Sequence, residues 1–429
     1  MELTHEFCCF CRVPYPFRVI CQWHLLCGKC WVLVGTSIKS CVAATALLFV
    51  TACVVPKDFD TGGEIRAVHA GITTLAMPKT VYFATTRCQE NPSAGAPGTR
   101  EELFSKRCWD EDLKNEEMLR LGFGMADSGK VTCGSAAVMV MPPNADAEAA
   151  TTVGLPVSLN CGDDFSVLRQ AVQNTRCRCA LVFVHGYNTT FAFGVKRLAQ
   201  LALDLSYDGT PILFSFAAAG RFGDYINDTE AGELAGPALH RLLVDLSRSD
   251  AAHAPSVDVI AHSMGARLTL RAINESNGPA LRFVVLAAPD IDTTAFLHLA
   301  GKASPHVRRL TVYTSKFDVA MSASTSMHSG RSRVGEGLSA SAAKDLSGTE
   351  IIDATDRATD PYAHSYFAES KVMVDDIRAA LAGIPAPERK RLICNPAGSQ
   401  SVVVCKMPCP EEATCGPSFY QRSLHWLLD

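Results

Sequence analysis

The stretch DVIAHSMGARL, Asp258 to Leu268, decides the fold. Apolar residues run up to Ser263, Gly265 follows two positions later, and helical spacing begins at once. A serine on such a strand-to-helix hinge is pushed out of the backbone, open to a base. The next backbone N–H, that of Met264, lies at the amino-terminal end of the helix, placed to donate to a developing oxyanion. A free hydroxyl is a poor nucleophile, so an imidazole must take its proton and a carboxylate must hold that imidazole. Against the elbow pattern G-x-S-x-G, Ala261 stands where the first glycine is expected, while Gly265 keeps the second small position. The plain alternative is Ser263 as an ordinary helix N-cap.

Outward from this hinge the pattern is regular. CALVFVHGYN, PILFSFAAAG, SVDVIAHS, LRFVVLAAPD, RRLTVYTS and TEIIDAT read as buried strands, each a short apolar run. Between them TFAFGVKRLAQLALDL, NDTEAGELAGPALHRLLVDLSR, MGARLTLRAINES and TTAFLHLAGKA have helical spacing, and SKVMVDDIRAALAG closes the series. Asp228 or Thr229 is the expected cap of the second of these helices. Upstream, KTVYFATTR and SAAVMVMP read as strands, NPSAGAPGTREE as a loop and FSVLRQAVQ as a helix. Strands alternating with helices predict an α/β fold with a mostly parallel central sheet covered on both faces. No internal repeat is visible.

Active sites of open parallel sheets gather at the carboxyl ends of the strands. There stand His185, Gly186, Tyr187 and Asn188, then Ser263, then Asp290 and Asp292, then Lys316 and Asp318, then Asp360 and His364. A nucleophile, an acid and a base thus follow in the order Ser, Asp, His. Several residues have second readings. Asp318 equally suits the cap of the following helix, Asp290 is the rival acid, and His364 equally suits a bond to a loop carbonyl. His328, the other downstream histidine, lies in a Ser- and Gly-rich loop. His262 is expected to pack in the elbow, and His185 to shape the oxyanion loop. The stretch from Val319 to Gly348 reads as a long polar loop bordering the substrate pocket.

The stretches VFVHGYN, IAHSMG, VVLAAPDID, YTSKFDVA and HSYF together resemble the α/β-hydrolase superfamily, from about Tyr82 to Leu381, and within it a bacterial family of unknown function, the DUF900 alpha/beta hydrolases. The resemblance implies Ser263 as nucleophile, Asp318 as acid, His364 as base, and backbone oxyanion donors at Tyr187 and Met264. The expected reaction is hydrolysis of an ester, of a small molecule or a lipid, through a serine ester intermediate, with no cofactor. Two other classes stand beside it: a hydrolase fold kept as a binding or scaffold module in the envelope, and an anchored zinc-ribbon interaction protein.

The ends of the chain differ from the middle. Of 429 residues, 48% are hydrophobic and the net charge is −4, and no long basic stretch points to nucleic acid. None of the 18 cysteines lies between Cys179 and Cys394. From Trp31 to Cys53 the only charge is Lys39, and VTAC, Val50 to Cys53, resembles a lipobox, which makes Cys53 the lipidated residue and places the enzyme on the periplasmic side of a bacterial membrane. A plain transmembrane helix is the rival. In that oxidising compartment Cys88, Cys108, Cys133, Cys161, Cys177 and Cys179 are available for disulfides. Cys8, Cys11, Cys27 and Cys30 have zinc-ribbon spacing, which a Cys-rich stretch also yields by chance; translation from near Val34 would omit them. The expected division is an anchor over 1–53, a tether over 54–78, the hydrolase domain over 79–385, and a poorly ordered Cys-rich tail over 386–429.

Overall fold

The computed structural model describes residues 77–90, 122–140, 157–161, 164–219, 223–248, 256–358, 362–395 and 402–409. Cys8, Cys11, Cys27, Cys30, Cys53, Cys108, Asp360, most of the tether and the loop after β1 lie outside them. The described chain builds one sheet of 11 strands. In chain order these are β1 (Met77–Glu90), β2 (Gly122–Val140), β3 (Val157–Asn160), β4 (Cys179–Val184), β5 (Thr210–Ser215), β6 (Ser256–His262), β7 (Leu281–Ala287), β8 (Val307–Thr314), β9 (Thr349–Asp353), β10 (Ile393–Cys394) and β11 (Val403–Lys406). The helices are α1 (Ser166–Gln173), α2 (Phe191–Asp204), α3 (Tyr225–Ser247), α4 (Met264–Ile273), α5 (Thr293–Ala303), α6 (Val319–Met327), α7 (Tyr366–Glu369) and α8 (Lys371–Leu381).

The strand order is β10-β11-β9-β8-β7-β6-β4-β5-β1-β2-β3. Pairing is parallel from β1 through to β11; β2 and β3 at one edge and β10 at the other pair antiparallel. The chain leaves β4 toward β5 on one side and returns to β6 on the other. The order therefore reverses at β4, and open sheets place their ligands beyond the carboxyl ends of the strands at such a reversal, here β4 and β6. Ser263 and the 185–188 turn stand there.

Both faces of the sheet are covered, as the continuous apolar strands require. Along β4, Ala180, Val182 and Val184 enter the core formed with α1, α3, α4 and α5, whereas Leu181 and Phe183 enter the core formed with α2, α7 and α8. This is the two-residue alternation of a strand with protein on both sides. Each such buried aliphatic side chain contributes roughly 1.5–3 kcal/mol.

Four expectations need correction. The chain beyond Pro387 is not a featureless tail: β11 adds parallel to β9, β10 pairs with β11, and Cys394 is bonded to Cys405. Buried Arg389 reaches Glu350 on β9 and Asp376 on α8 and ties the segment down. Those contacts depend on residues distant in sequence, so local composition conceals them. The stretch after Asp318 begins as helix α6 rather than as loop. Helix α3 starts at Tyr225, earlier than its expected cap, and Asp228 lies inside it with its carboxylate turned to another task. Finally, β2 runs from Gly122, well upstream of SAAVMVMP, because β1 pairs with it along nearly its full length. Among the central cysteines, Cys133 pairs with Cys161 and Cys177 with Cys179.

Candidate active site

Ser263 sits between β6 and α4 with φ 52° and ψ −121°. That left-handed conformation costs a non-glycine residue on the order of 1–3 kcal/mol and persists only where surroundings impose it. Three backbone hydrogen bonds do so: Ser263 N to Ala287 O (3.0 Å), Ala266 N to Ser263 O (3.0 Å) and Asp290 N to Ser263 O (3.2 Å). Crowding does the rest. A Cβ at Gly265 would lie 2.3 Å from the His185 carbonyl, and one at Gly186 would lie 2.8 Å from the Ser263 Cβ. The turn after β4 is thus pressed against the hinge, and the Gly186–Tyr187 peptide abuts the nucleophile. Ala261 needs no glycine. It pairs in register with Val184 and Leu286 inside the sheet, and its methyl is fully buried in the core.

The candidate acid and base follow the strands beyond, β8 and β9. Asp318 is completely buried. Its carboxylate accepts the Met321 N–H at 3.0 Å, capping α6, and faces His364 Nδ1 at 2.8 Å and 3.0 Å. Capping and imidazole binding, alternatives in the sequence, are both true of it. Because a carboxylate only accepts, His364 presents Nδ1–H to it, which leaves Nε2 as the unprotonated nitrogen. His364 follows Ala363, itself held at φ 52°. His262, the neighbour of Ser263, packs against His364. Its Nε2–H donates to the His364 carbonyl (3.2 Å), and the two rings lie 4.6 Å apart. Burial holds the His262 ring well below its ordinary pKa, with a smaller push from His364, so it remains neutral.

Asp290 is not an acid waiting for this histidine. Tyr225 OH donates to it at 2.6 Å, Ser324 Oγ at 2.7 Å, and Arg333 Nε lies 3.4 Å away. His328 joins that second group, its ring 5.6 Å from Tyr225.

Under the oxyanion loop lies a residue the sequence reading passed over. Arg87 on β1 is 1% exposed. Its Nη2 donates to Thr189 O (2.7 Å), Nη1 to Ala218 O (2.8 Å) and Nε to Ser215 Oγ (2.8 Å). Asp228 answers it on the same two segments, accepting Asn188 N–H (3.0 Å) and Ala219 N–H (2.6 Å). A buried cation takes carbonyls and a buried carboxylate takes amides, so the turns after β4 and β5 are held by both ends. Charges so deep in a protein require such partners. The pairing of β1 with β2 shifts register between Thr85 and Arg87, and irregularities of this kind re-aim side chains beside sites.

His185 completes the brace. Burial first, and Arg87 second, push its pKa down to about 3, so the ring is neutral. With Nδ1–H donating to Gly186 O (2.9 Å), Nε2 must accept from Ser215 Oγ (3.1 Å). The amides of Tyr187 and of Met264, the first of α4, border Ser263; the opening N–H groups of a helix have no intrahelical acceptor. The signal that locates Arg87 in the sequence is faint: a charge ending the apolar run KTVYFATTR.

An esterase from Pyrococcus furiosus is a solved structure to which the chain is similar, at 12% identity and a TM-score of 0.26, covering 59% of this chain and 84% of that one. No curated protein matches the chain. A family model, alpha/beta hydrolase of unknown function (DUF900), matches residues 163–383, more than half of the chain. On that match the chain belongs to the DUF900 family of alpha/beta hydrolases.

Proposed function

We propose that the chain is a serine hydrolase that cleaves an ester through an acyl-enzyme intermediate. The observation that carries the reading is the 2.8 Å contact of His364 Nδ1 with buried Asp318, beside a serine held left-handed at a strand-to-helix hinge. His364 Nε2 takes the proton as Ser263 Oγ attacks the ester carbonyl. The tetrahedral oxyanion is met by the amides of Tyr187 and Met264. Collapse expels the alkoxide, which takes the proton from His364, and water repeats the sequence on the acyl-serine. Asp318 holds the ring so that Nε2 is the basic nitrogen throughout.

A fluorophosphonate probe tests this without knowledge of the substrate. It should label the wild type and leave Ser263→Ala unlabelled, and that variant should also lose turnover of short-chain p-nitrophenyl esters. Labelling that survives the substitution would show that another residue reacts. A folded wild type that takes no probe would favour a binding module instead.

Attachment to the membrane is a separate proposal. Signal peptidase cleavage before Cys53 and lipid on its thiol would anchor the chain on the periplasmic side. Mass spectrometry of the mature amino terminus decides it: a diacylglyceryl-modified Cys53 supports the anchor, and an unbroken peptide from Val50 to Val55 excludes it.

A further inference from the structure

Three disulfides join pairs of described cysteines, and they are unlike one another. Cys133–Cys161 closes a span of 28 residues and Cys394–Cys405 one of 11, but Cys177–Cys179 closes a span of only 2, with Arg178 alone inside. A disulfide stabilises a fold largely by restricting the unfolded chain, and the restriction grows with the length of the loop. By linkage, a bond that stabilises the fold little is little stabilised by the fold. Of these three pairs, this is therefore the one least protected by folding.

Access separates the pair in the same direction. Among the eight described cysteines Cys177 alone is exposed; Cys133, Cys161, Cys179 and Cys405 are buried and Cys394 is partly so. Exchange requires a thiolate to approach one sulfur in line with the bond to the other, so an exposed sulfur with a buried partner has a defined point of attack and a defined leaving group. Cys179 is fixed in place by close packing: a Cβ at Gly209 would lie 2.7 Å from its Sγ and 2.3 Å from its carbonyl. The linking residue, Arg178, is held at φ 48°, a left-handed conformation that costs energy outside glycine.

Charge selects the reagent. The segment reads Arg176-Cys177-Arg178-Cys179, and both arginines are exposed. Asp208, beside Gly209, offsets one of the two positive charges. A net cationic surround lowers the cost of a thiolate, whether arriving or departing, and attracts an anionic thiol in particular.

We infer that the Cys177–Cys179 disulfide is a thiol-exchange site that accepts an anionic low-molecular-weight thiol as a mixed disulfide on Cys177. In the first step the incoming thiolate bonds to Cys177 Sγ, the Cys177–Cys179 bond breaks, and its electron pair leaves on Cys179, which water protonates. A second thiolate then attacks the small-molecule sulfur of the mixed disulfide and releases Cys177 as thiolate. Two thiols are oxidised to one disulfide, and the protein pair is reduced to two thiols. The site lies at the amino-terminal end of β4, away from Ser263, so the inference does not depend on the hydrolase reading.

The test uses the full oxidised chain, graded glutathione, an iodoacetamide quench and peptide mass spectrometry. Cys177 and Cys179 should appear alkylated, or Cys177 glutathionylated, at thiol concentrations at least about tenfold below those that open Cys133–Cys161 and Cys394–Cys405. Opening together with them, opening last, or finding both cysteines already alkylated in the untreated chain would overturn the assignment. Cysteamine, a cationic thiol, should exchange more slowly than glutathione at equal thiolate concentration, and the double variant Arg176→Ser, Arg178→Ser should erase the difference. Equal rates for the two thiols in the wild type would overturn the anionic preference.

Discussion

Two carboxylates stand at neighbouring strand ends, Asp290 past β7 and Asp318 past β8, and only Asp318 faces an imidazole. Asp290 is filled by the hydroxyls of Tyr225 and Ser324 and lies 3.4 Å from Arg333. Asp318 gives one oxygen to the backbone of α6 and both to His364. The two groups are joined through α6, which Asp318 caps and from which Ser324 reaches Asp290. Asp290 therefore fastens the helix that Asp318 caps. The lesson is that residue type and position at a strand end do not assign an acid. What assigns it is which neighbours have already taken its lone pairs.

That contrast breaks most directly under paired substitution. Asp318→Asn should lower kcat by about a thousandfold or more, because an amide stabilises neither the needed tautomer nor the imidazolium. Asp290→Asn should cost less than about tenfold in kcat and should show itself mainly as a lower melting temperature. Steady-state kinetics and thermal unfolding of the two variants check this, and the reverse ranking would move the acid one strand earlier.

The brace under the oxyanion loop is the next largest effect. Arg87→Met should reduce kcat by about a hundredfold, the order seen when an oxyanion donor is lost, with KM changing far less. Arg87→Lys should recover only part of it, because an ammonium cannot span Thr189 O, Ala218 O and Ser215 Oγ with the geometry of a guanidinium. A matched loss in both variants, with KM rising and kcat unchanged, would make Arg87 a binding residue instead.

Asp228 sharpens the comparison through pH. Burial, opposed by the Ala219 and Asn188 amides, pushes its pKa up to about 6. A carboxyl with a folded pKa above its unfolded value of about 3.9 contributes stability below that lower value and loses it as pH rises through the upper one. Asp228→Asn does not ionise. The wild type should therefore lose stability relative to the variant between about pH 4 and pH 6, by on the order of 2–3 kcal/mol, and the difference should level off above. Denaturant unfolding at pH 4, 6 and 8 reads the trend; a flat difference would show that Asp228 is not shifted by burial.

The smallest effect is at the elbow. Ala261→Gly removes a buried methyl and loosens β6, so stability should fall by about 1 kcal/mol while kcat/KM stays within about twofold. A large gain in rate would mean that the alanine strains the hinge, contrary to its in-register place in the sheet.

Most of the fold was legible locally. Short apolar runs alternating with amphipathic ones announced β4 through α5, and the apolar approach to Ser263 with Gly265 behind it announced the hinge. The two ends of the sheet were less legible. Strands β10 and β11 are short and polar-flanked, and their reason for pairing is β9, more than 40 residues earlier. Asp228 was misassigned as a cap because capping residues and buried carboxylates look alike in sequence.

By itself the sequence determined the alternation of strands and helices, the hinge serine, and the trio Ser263, Asp318 and His364 as candidates, because periodicity and turn chemistry are local properties. Only the tertiary structure decided that Asp318 rather than Asp290 meets His364, that Ala261 fits without a glycine, and that Arg87 and Asp228 hold the turns after β4 and β5. Those outcomes rest on contacts such as Arg87 with Ser215, 128 residues apart. Whether a buried polar group is satisfied depends on which partners the sheet brings to it, and no local pattern encodes that.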